Sequence, residues 1–441
     1  MRFGYQRTVL GNAALALLIQ TVSVSAQTVQ DAASSAASMP ASLLPTDLGV
    51  DGFYASRGEP VIWLKDDAGR AAAARVGALL RNGSIDGFSK SSELASEVDE
   101  ALQRGQPGDD KIISAAWVAY VRTLNAPLQE VSFGDPGLRL KSQTAAAVLS
   151  EAARAPSLGE YVGRVTSVNP LYAALREAAL KEDLGQNPEV ISSLKRLRLL
   201  PATGRAILVD IATAQLWMIE DGAAVDSMKV VVGKTSSPTP ELAGSIHYVT
   251  FNPYWHILDE VVQRKVAPIV LKRGVSYLKA ARYETVSNWS ESDSVDPKTI
   301  DWKAVADGSQ QVFIRQRPGP NNMMGAVKFS FENDFDIFLH DTPQKGLFAK
   351  SERGLSLGCV RLEHAERLTK WLLRDTDVPS SDEPEHHVQL AQGVPIYLLN
   401  LPANLQDGKL AFAHGADRQA DVATASVSST NADATAEAVP H

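Results

Sequence analysis

The spacing of apolar residues in this chain changes once, near Gly204, and the two sides of that change cannot belong to the same kind of structure. Before it, apolar positions recur every three to four residues, as Leu94, Val98 and Leu102 do, so that one stripe of each segment faces a core. This period predicts helices over 71–80, 92–104, 112–124, 145–155 and 171–180, separated by Gly/Pro breaks at 105–108, 135–137 and 169–170. After Gly204, short β-branched runs take over. Residues 205–211 and 215–220 flank a polar turn and read as a hairpin, and 226–232, 245–251, 311–314, 327–331, 337–339 and 395–399 read as further strands. One helix is expected over 363–374. The fold class is therefore α+β: a helical domain over 49–200, then a mostly antiparallel β domain over 203–400. A charged insertion over 256–310 interrupts the strands and reads either as a lid or as a solvated excursion.

The flanks are of different composition. Arg2 and Arg7, the apolar run 9–19 and Val24-Ser25-Ala26 have the layout of a signal peptide over 1–26, and the run is too short to span a bilayer comfortably. Residues 27–48 read as a flexible linker and 401–441 as a disordered tail, with 415–441 its most polar part. A net charge of -8 with no basic stripe excludes a nucleic-acid binder of the usual kind.

The chain of 441 residues has one cysteine, Cys359, which has no disulfide partner within the chain. Composition alone favours a buried core thiol. Its neighbours favour a nucleophile. A thiol attacks as thiolate and needs a base or a positive environment. His340 ends a predicted strand, and the intervening loop is long enough to bring it back to Cys359. Gly358 permits close backbone approach. The expected helix after Cys359 would aim amides at the sulfur, and the amides of Gly358 and Cys359 would then form an oxyanion hole. Arg361 has the planar fork that pairs with a substrate carboxylate. His386-His387 has no evident set of metal ligands around it.

The order His340 … Ser356-Leu357-Gly358-Cys359-Val360-Arg361 resembles the YkuD-type L,D-transpeptidases, most closely their large Gram-negative branch. The segments 252–255, 315–321, 325–329 and 340–343 resemble that branch too, as does the stretch with Phe53, Tyr54, Pro60 and Trp63. The resemblance implies Cys359 as nucleophile, His340 as general base, and substrate contacts from Arg361, Ser356 and Trp255. It implies no metal and no cofactor. The implied partners are peptidoglycan stem peptides and carbapenem-type inhibitors, and the implied place is the periplasm. The implied reaction releases terminal D-alanine from a tetrapeptide through a thioester and forms 3–3 cross-links. An L,D-carboxypeptidase, a lipoprotein-anchoring or -cleaving enzyme, and a catalytically silent wall-binding scaffold stay open. Leu357 departs from the His or Ser that the family carries there, and 187–199 is too short to hold the wall-binding module of many relatives.

Overall fold

A computed structural model describes residues 49–57, 61–289, 293–374 and 381–413. The expected signal peptide, the linker 27–48 and the tail residues 415–441 lie outside the described residues.

The first half is helical, with Asp67–Arg81, Ser91–Arg104, Asp109–Leu124, Ala145–Arg154 and Pro170–Lys181 near the expected positions. Two further helices, Leu158–Ser167 and Pro188–Leu197, join them. Their starts follow capping chemistry. Asn169 and Asn187 accept from the first-turn amides of Tyr172 and Val190, each followed by a proline at the first helical position. Two buried carboxylates tie the helices together. Asp86 accepts from Tyr120 at 2.8 Å, Tyr172 at 2.5 Å and Arg176 at 2.8 and 2.9 Å. Asp110 accepts the backbone amides of Ile62, Trp63 and Leu64, each at 2.8 Å, and the Tyr54 hydroxyl. These bonds pin the segment leading into the helices over Trp63, which packs edge-on against Trp117 at 6.2 Å.

The second half closes into a barrel of eight strands: β1 (Arg205–Asp210), β2 (Gln215–Glu220), β3 (Ala223–Gly233), β4 (Leu242–Phe251), β5 (Val327–Ser330), β6 (Phe338–His340), β7 (Val360–Leu362) and β8 (His386–Leu399). Around the barrel the order is β1-β2-β3-β7-β6-β5-β4-β8, and β8 returns to β1. Only β8–β1 and β6–β7 run parallel within this ring. Alternation sets the two faces. Ile207 and Val209 of β1 point into the barrel core, whereas Ala206 and Leu208 pack against the helices. Ile396 and Leu398 of β8 point in, and Tyr397 and Leu399 point out. Burial on both sides explains why β1 reads as an unbroken run of apolar residues instead of an alternating one. Each fully buried aliphatic side chain there contributes roughly 1.5–3 kcal/mol.

The insertion has its own core. Val262, Val266, Val270, Trp302, Val305 and Ile314 pack together beneath a small sheet of Trp255–His256, Phe313–Gln316 and Tyr283–Val286. Its neck is bound by Asn322, which donates to the carbonyls of Pro253, Gln316 and Arg317 at 3.0–3.1 Å. The insertion is therefore a folded lobe, not a solvated excursion.

The expectation of a tail from 401 is corrected over its first residues. Ala403–Gln406 and Lys409–Phe412 form a hairpin that packs on the helical core through Leu405, Leu410 and Phe412. Asp210, at the end of β1, anchors it. Fully buried, Asp210 accepts from Ala212 N at 3.0 Å, Thr213 Oγ1 at 2.6 Å, Leu401 N at 3.1 Å and Asn404 Nδ2 at 3.2 Å. Burial pushes its pKa from 3.8 up to about 6, with those hydrogen bonds pulling the other way. A raised carboxyl pKa means that the folded chain holds the proton more tightly than the unfolded one. Its contribution to stability is therefore greatest below pH ~4 and is lost as pH rises to ~6, a change on the order of 3 kcal/mol. Asp210→Asn should remove this slope. Denaturant midpoints of both proteins at pH 4 and pH 6.5 would check it, and parallel pH dependences would contradict it.

Candidate active site

β6 and β7 lie side by side in parallel, with Leu339 opposite Val360 and His340 opposite Arg361. Leu339 and Val360 enter the barrel core. The alternate residues, His340 and Arg361, therefore share the outer face, and Cys359 precedes β7 at its start. The pairing brings together the histidine and cysteine that the sequence separates by nineteen positions.

His340 is buried, and its Nδ1 lies 2.6 Å from the Asp341 carbonyl. A carbonyl only accepts, so Nδ1 carries the proton and Nε2 keeps its lone pair. That is the tautomer a general base requires. Burial lowers the His340 pKa to about 3, and the Arg361 guanidinium adds to the effect, so the ring is neutral near pH 7. Asp341 holds this geometry from behind. Its carboxylate accepts from Ala326 N at 2.9 Å and Lys345 Nζ at 2.8 Å, which makes it a strut for the loop as well as the partner of Nδ1.

The Cys359 thiol is pushed up to about 11 by burial, with a hydrogen bond from the Phe338 backbone and the positive charge of Arg361 opposing the rise. Its Sγ faces the Asp336 carbonyl at 3.7 Å. Near pH 7 the thiol and the imidazole are thus both neutral. Arg361 and Lys328 both favour the anion and disfavour the imidazolium.

Two expectations need correction. The expected helix over 363–374 is present as Ala365–Leu373, but β7 stands between it and Cys359, so its first amides are not aimed at the sulfur as expected. Val360 and Leu362 are drawn into the barrel core, and this side-chain burial outweighs local helical preference. A helix dipole fades beyond its first turn, so it contributes little at the sulfur. Ser356, expected to contact substrate, is buried. Its hydroxyl donates to the Cys359 carbonyl at 2.6 Å and accepts from Gly358 N at 3.1 Å. It braces the loop that carries Cys359. The same bond takes the Gly358 amide out of the expected oxyanion hole and leaves the Cys359 amide as that part of the expectation.

Gly358 itself is required by shape. Its φ is +124°, and an added Cβ would sit 2.9 Å from Ile337 Cδ1. Leu357, beside it, is 42% exposed and so faces solvent. Trp255 lies in the lobe's sheet, 6.4 Å from Tyr283. Arg361, expected to contact substrate, is placed by register opposite His340, with a bond to Gln344 at 3.2 Å.

Sequence reasoning missed a clamp on the nucleophile loop. Thr239 Oγ1 donates to the Gly358 carbonyl at 2.6 Å and accepts from Gly233 N at 2.8 Å, and Ser237 Oγ donates to the Leu357 carbonyl at 3.0 Å. The hydroxyl residues between two strand-like runs were the available signal. His387 is likewise spoken for, its Nδ1 lying 3.0 Å from Thr250 Oγ1.

Residues 204–379 match the YkuD family, the L,D-transpeptidase catalytic domain, and residues 49–178 match the Scaffold domain. A Haemophilus influenzae protein provisionally named an L,D-transpeptidase is 28% identical over 258 residues, which cover 56% of this chain and 50% of that protein. The chain thus spans about half the length of that relative. Among solved structures, an L,D-transpeptidase from Mycobacterium smegmatis aligns with 45% of this chain and 59% of its own at 12% identity and a TM-score of 0.23. L,D-transpeptidase 3 from Mycobacterium tuberculosis, in complex with a faropenem-derived adduct, aligns over 45% and 60% at 13% identity and a TM-score of 0.24. The chain thus carries a YkuD-type L,D-transpeptidase catalytic domain with a Scaffold domain ahead of it.

Proposed function

We propose that this chain is a periplasmic peptidoglycan L,D-transpeptidase that works through a thioester on Cys359. The observation that carries this reading is the tautomer of His340, held by the Asp341 carbonyl with Nε2 unprotonated, on the strand beside the one that Cys359 begins. In the first half-reaction Nε2 takes the thiol proton as Sγ attacks the carbonyl of the third residue of a tetrapeptide stem. The bond to terminal D-alanine breaks, and the departing amine receives that proton. The Cys359 amide and Arg361 favour the developing negative charge. In the second half-reaction the amine of another stem attacks the thioester, giving a 3–3 cross-link. Water in place of that amine gives a carboxypeptidase, and a lipoprotein amine gives an anchoring enzyme.

Intact mass after incubation with a carbapenem tests the acyl step. The unsubstituted protein should gain one adduct, and Cys359→Ala none. Purified tetrapeptide stems then separate cross-linking from trimming. A thiol that takes neither carbapenem nor an alkylating reagent would overturn the reading in favour of a silent wall-binding protein.

A further inference from the structure

The polar row on the outer face of the barrel does not stop at His340. Register places Arg361 opposite His340, His340 opposite Lys328, Lys328 opposite Thr250 and Thr250 opposite His387. The inward row alongside it, Val360, Leu339, Phe329 and Val249, is wholly apolar. The proposed base therefore stands between two cations. Arg361 is on the nucleophile's own strand. Lys328 is on the opposite side, toward the lobe, where its charge is felt by His256.

Lys328 has a carboxylate beside it that is held open. Glu385 Oε1 accepts from Tyr254 N at 2.7 Å, which fixes the group, while Oε2 stands 3.8 Å from Lys328 Nζ. That separation is a charge contact but too long for a hydrogen bond, for which 2.7–2.9 Å is usual in ion pairs. Both side chains keep some exposure, 18% and 28%. The ammonium is also 5.5 Å from the Phe338 ring centroid, which steadies it on the strand of the base. The result is an anchored cation and an anchored anion, a few ångströms apart and one strand from His340, with hydrogen-bonding capacity left over.

We infer that Lys328 and Glu385 form the subsite for the second substrate, with Lys328 receiving a carboxylate and Glu385 an ammonium borne on the same carbon. This rests on the transpeptidase reading above. The reacting end of a diamino dicarboxylic acid has that chemistry, and water does not, so the pair supplies a physical reason for an amine to compete with solvent for the thioester. The ammonium sheds one proton to solvent, and its nitrogen lone pair attacks the thioester carbon. As the C–N bond forms and the C–S bond breaks, sulfur leaves with the electron pair. The second nitrogen proton passes through His340 to Sγ. Arg361, on the other side of the base, is left for the donor, so the two strands of substrate approach His340 from opposite ends of the row.

The test uses the full chain with a tetrapeptide donor and two acceptors: a tripeptide ending in a diamino dicarboxylic acid, and the same tripeptide with the carboxylate beside the reacting amine converted to a carboxamide. The unsubstituted protein should use the carboxylate acceptor about 10-fold better in kcat/KM, and Lys328→Met should bring that preference close to one. Glu385→Gln should raise the acceptor KM about 10-fold, with a smaller effect on kcat. A pair that only fastens β5 to the turn before β8 would lower use of both acceptors together and leave the preference unchanged, which overturns the subsite. The thioester mass is read first. Its absence from the unsubstituted protein would overturn the transpeptidase reading itself, whereas a thioester with an unaltered acceptor preference removes the subsite alone.

Discussion

His340→Gln should slow thioester formation by about 10²–10⁴-fold, the usual worth of a positioned general base. Stopped-flow or mass-resolved acylation by a carbapenem would measure it. The effect is expected to be large because the thiol is pushed up to about 11, and Arg361 and Lys328, the cations felt at the sulfur, accept no proton. The pH profile gives a second check. With the imidazole lowered to about 3, it stays in its base form throughout pH 5–8, so the rate should lack the acid limb near 6.5 that an exposed histidine would show. The same shift has a stability consequence. Between pH ~3 and ~6.5 the unfolded chain binds a proton at this position that the folded chain refuses, so folding weakens as pH falls through that window. A rate that titrates near 6.5, or a His340→Gln protein that acylates at the normal rate, would remove His340 as the base.

Asp110→Ala should cost more than about 4 kcal/mol, because it strands three backbone amides in the helical core at about 1–3 kcal/mol each. It also deprives the Tyr54 hydroxyl of an acceptor, although Ser114 Oγ remains 2.7 Å from that oxygen. Asp110→Asn keeps one oxygen and should lose less. Thermal unfolding followed by tryptophan fluorescence suits this test, since Trp63 and Trp117 pack beside the network. A loss below 1 kcal/mol would mean that the segment 62–64 finds other acceptors.

The helices were legible wherever an apolar stripe ran for three turns, as in Ser91–Arg104 and Asp109–Leu124. Leu158–Ser167 was not, because Gly159 and Gly163 interrupt its period and little beyond the Ser157 cap announces it. Individual strands could be read, but the closure of the barrel could not. The contact between β4 and β5 joins residues some eighty positions apart, and local pattern carries no record of such a pairing. A three-residue strand such as β7 is too short to show a period at all, which is why the stretch after Cys359 looked like the approach to a helix. The hairpin at 403–412 did leave a mark. Asp407-Gly408 takes φ values of 51° and 75°, the turn that joins two short strands, and it stands between Leu405 and Leu410. Composition drew attention to the polar residues beyond it instead. Of the site, the Cys359–His340 pair was readable from residue chemistry. Lys328, Glu385 and Thr239 became visible only through register and loop packing.

The placement of β8 has a consequence for how this protein can be divided. The matched catalytic segment ends at 379, before β8 begins at His386. That strand is the piece between β4 and β1: it pairs with one antiparallel and with the other parallel. A fragment cut to 204–379 would present two long unpaired edges side by side, together with the outward Ala206 and Leu208 that the helices cover. Bare edges of that kind recruit one another, so such a fragment should precipitate or form strand-linked assemblies instead of behaving as an independent enzyme. The smallest soluble unit is set by the seam of the barrel, and that seam is sewn by a strand beyond the boundary of the family match.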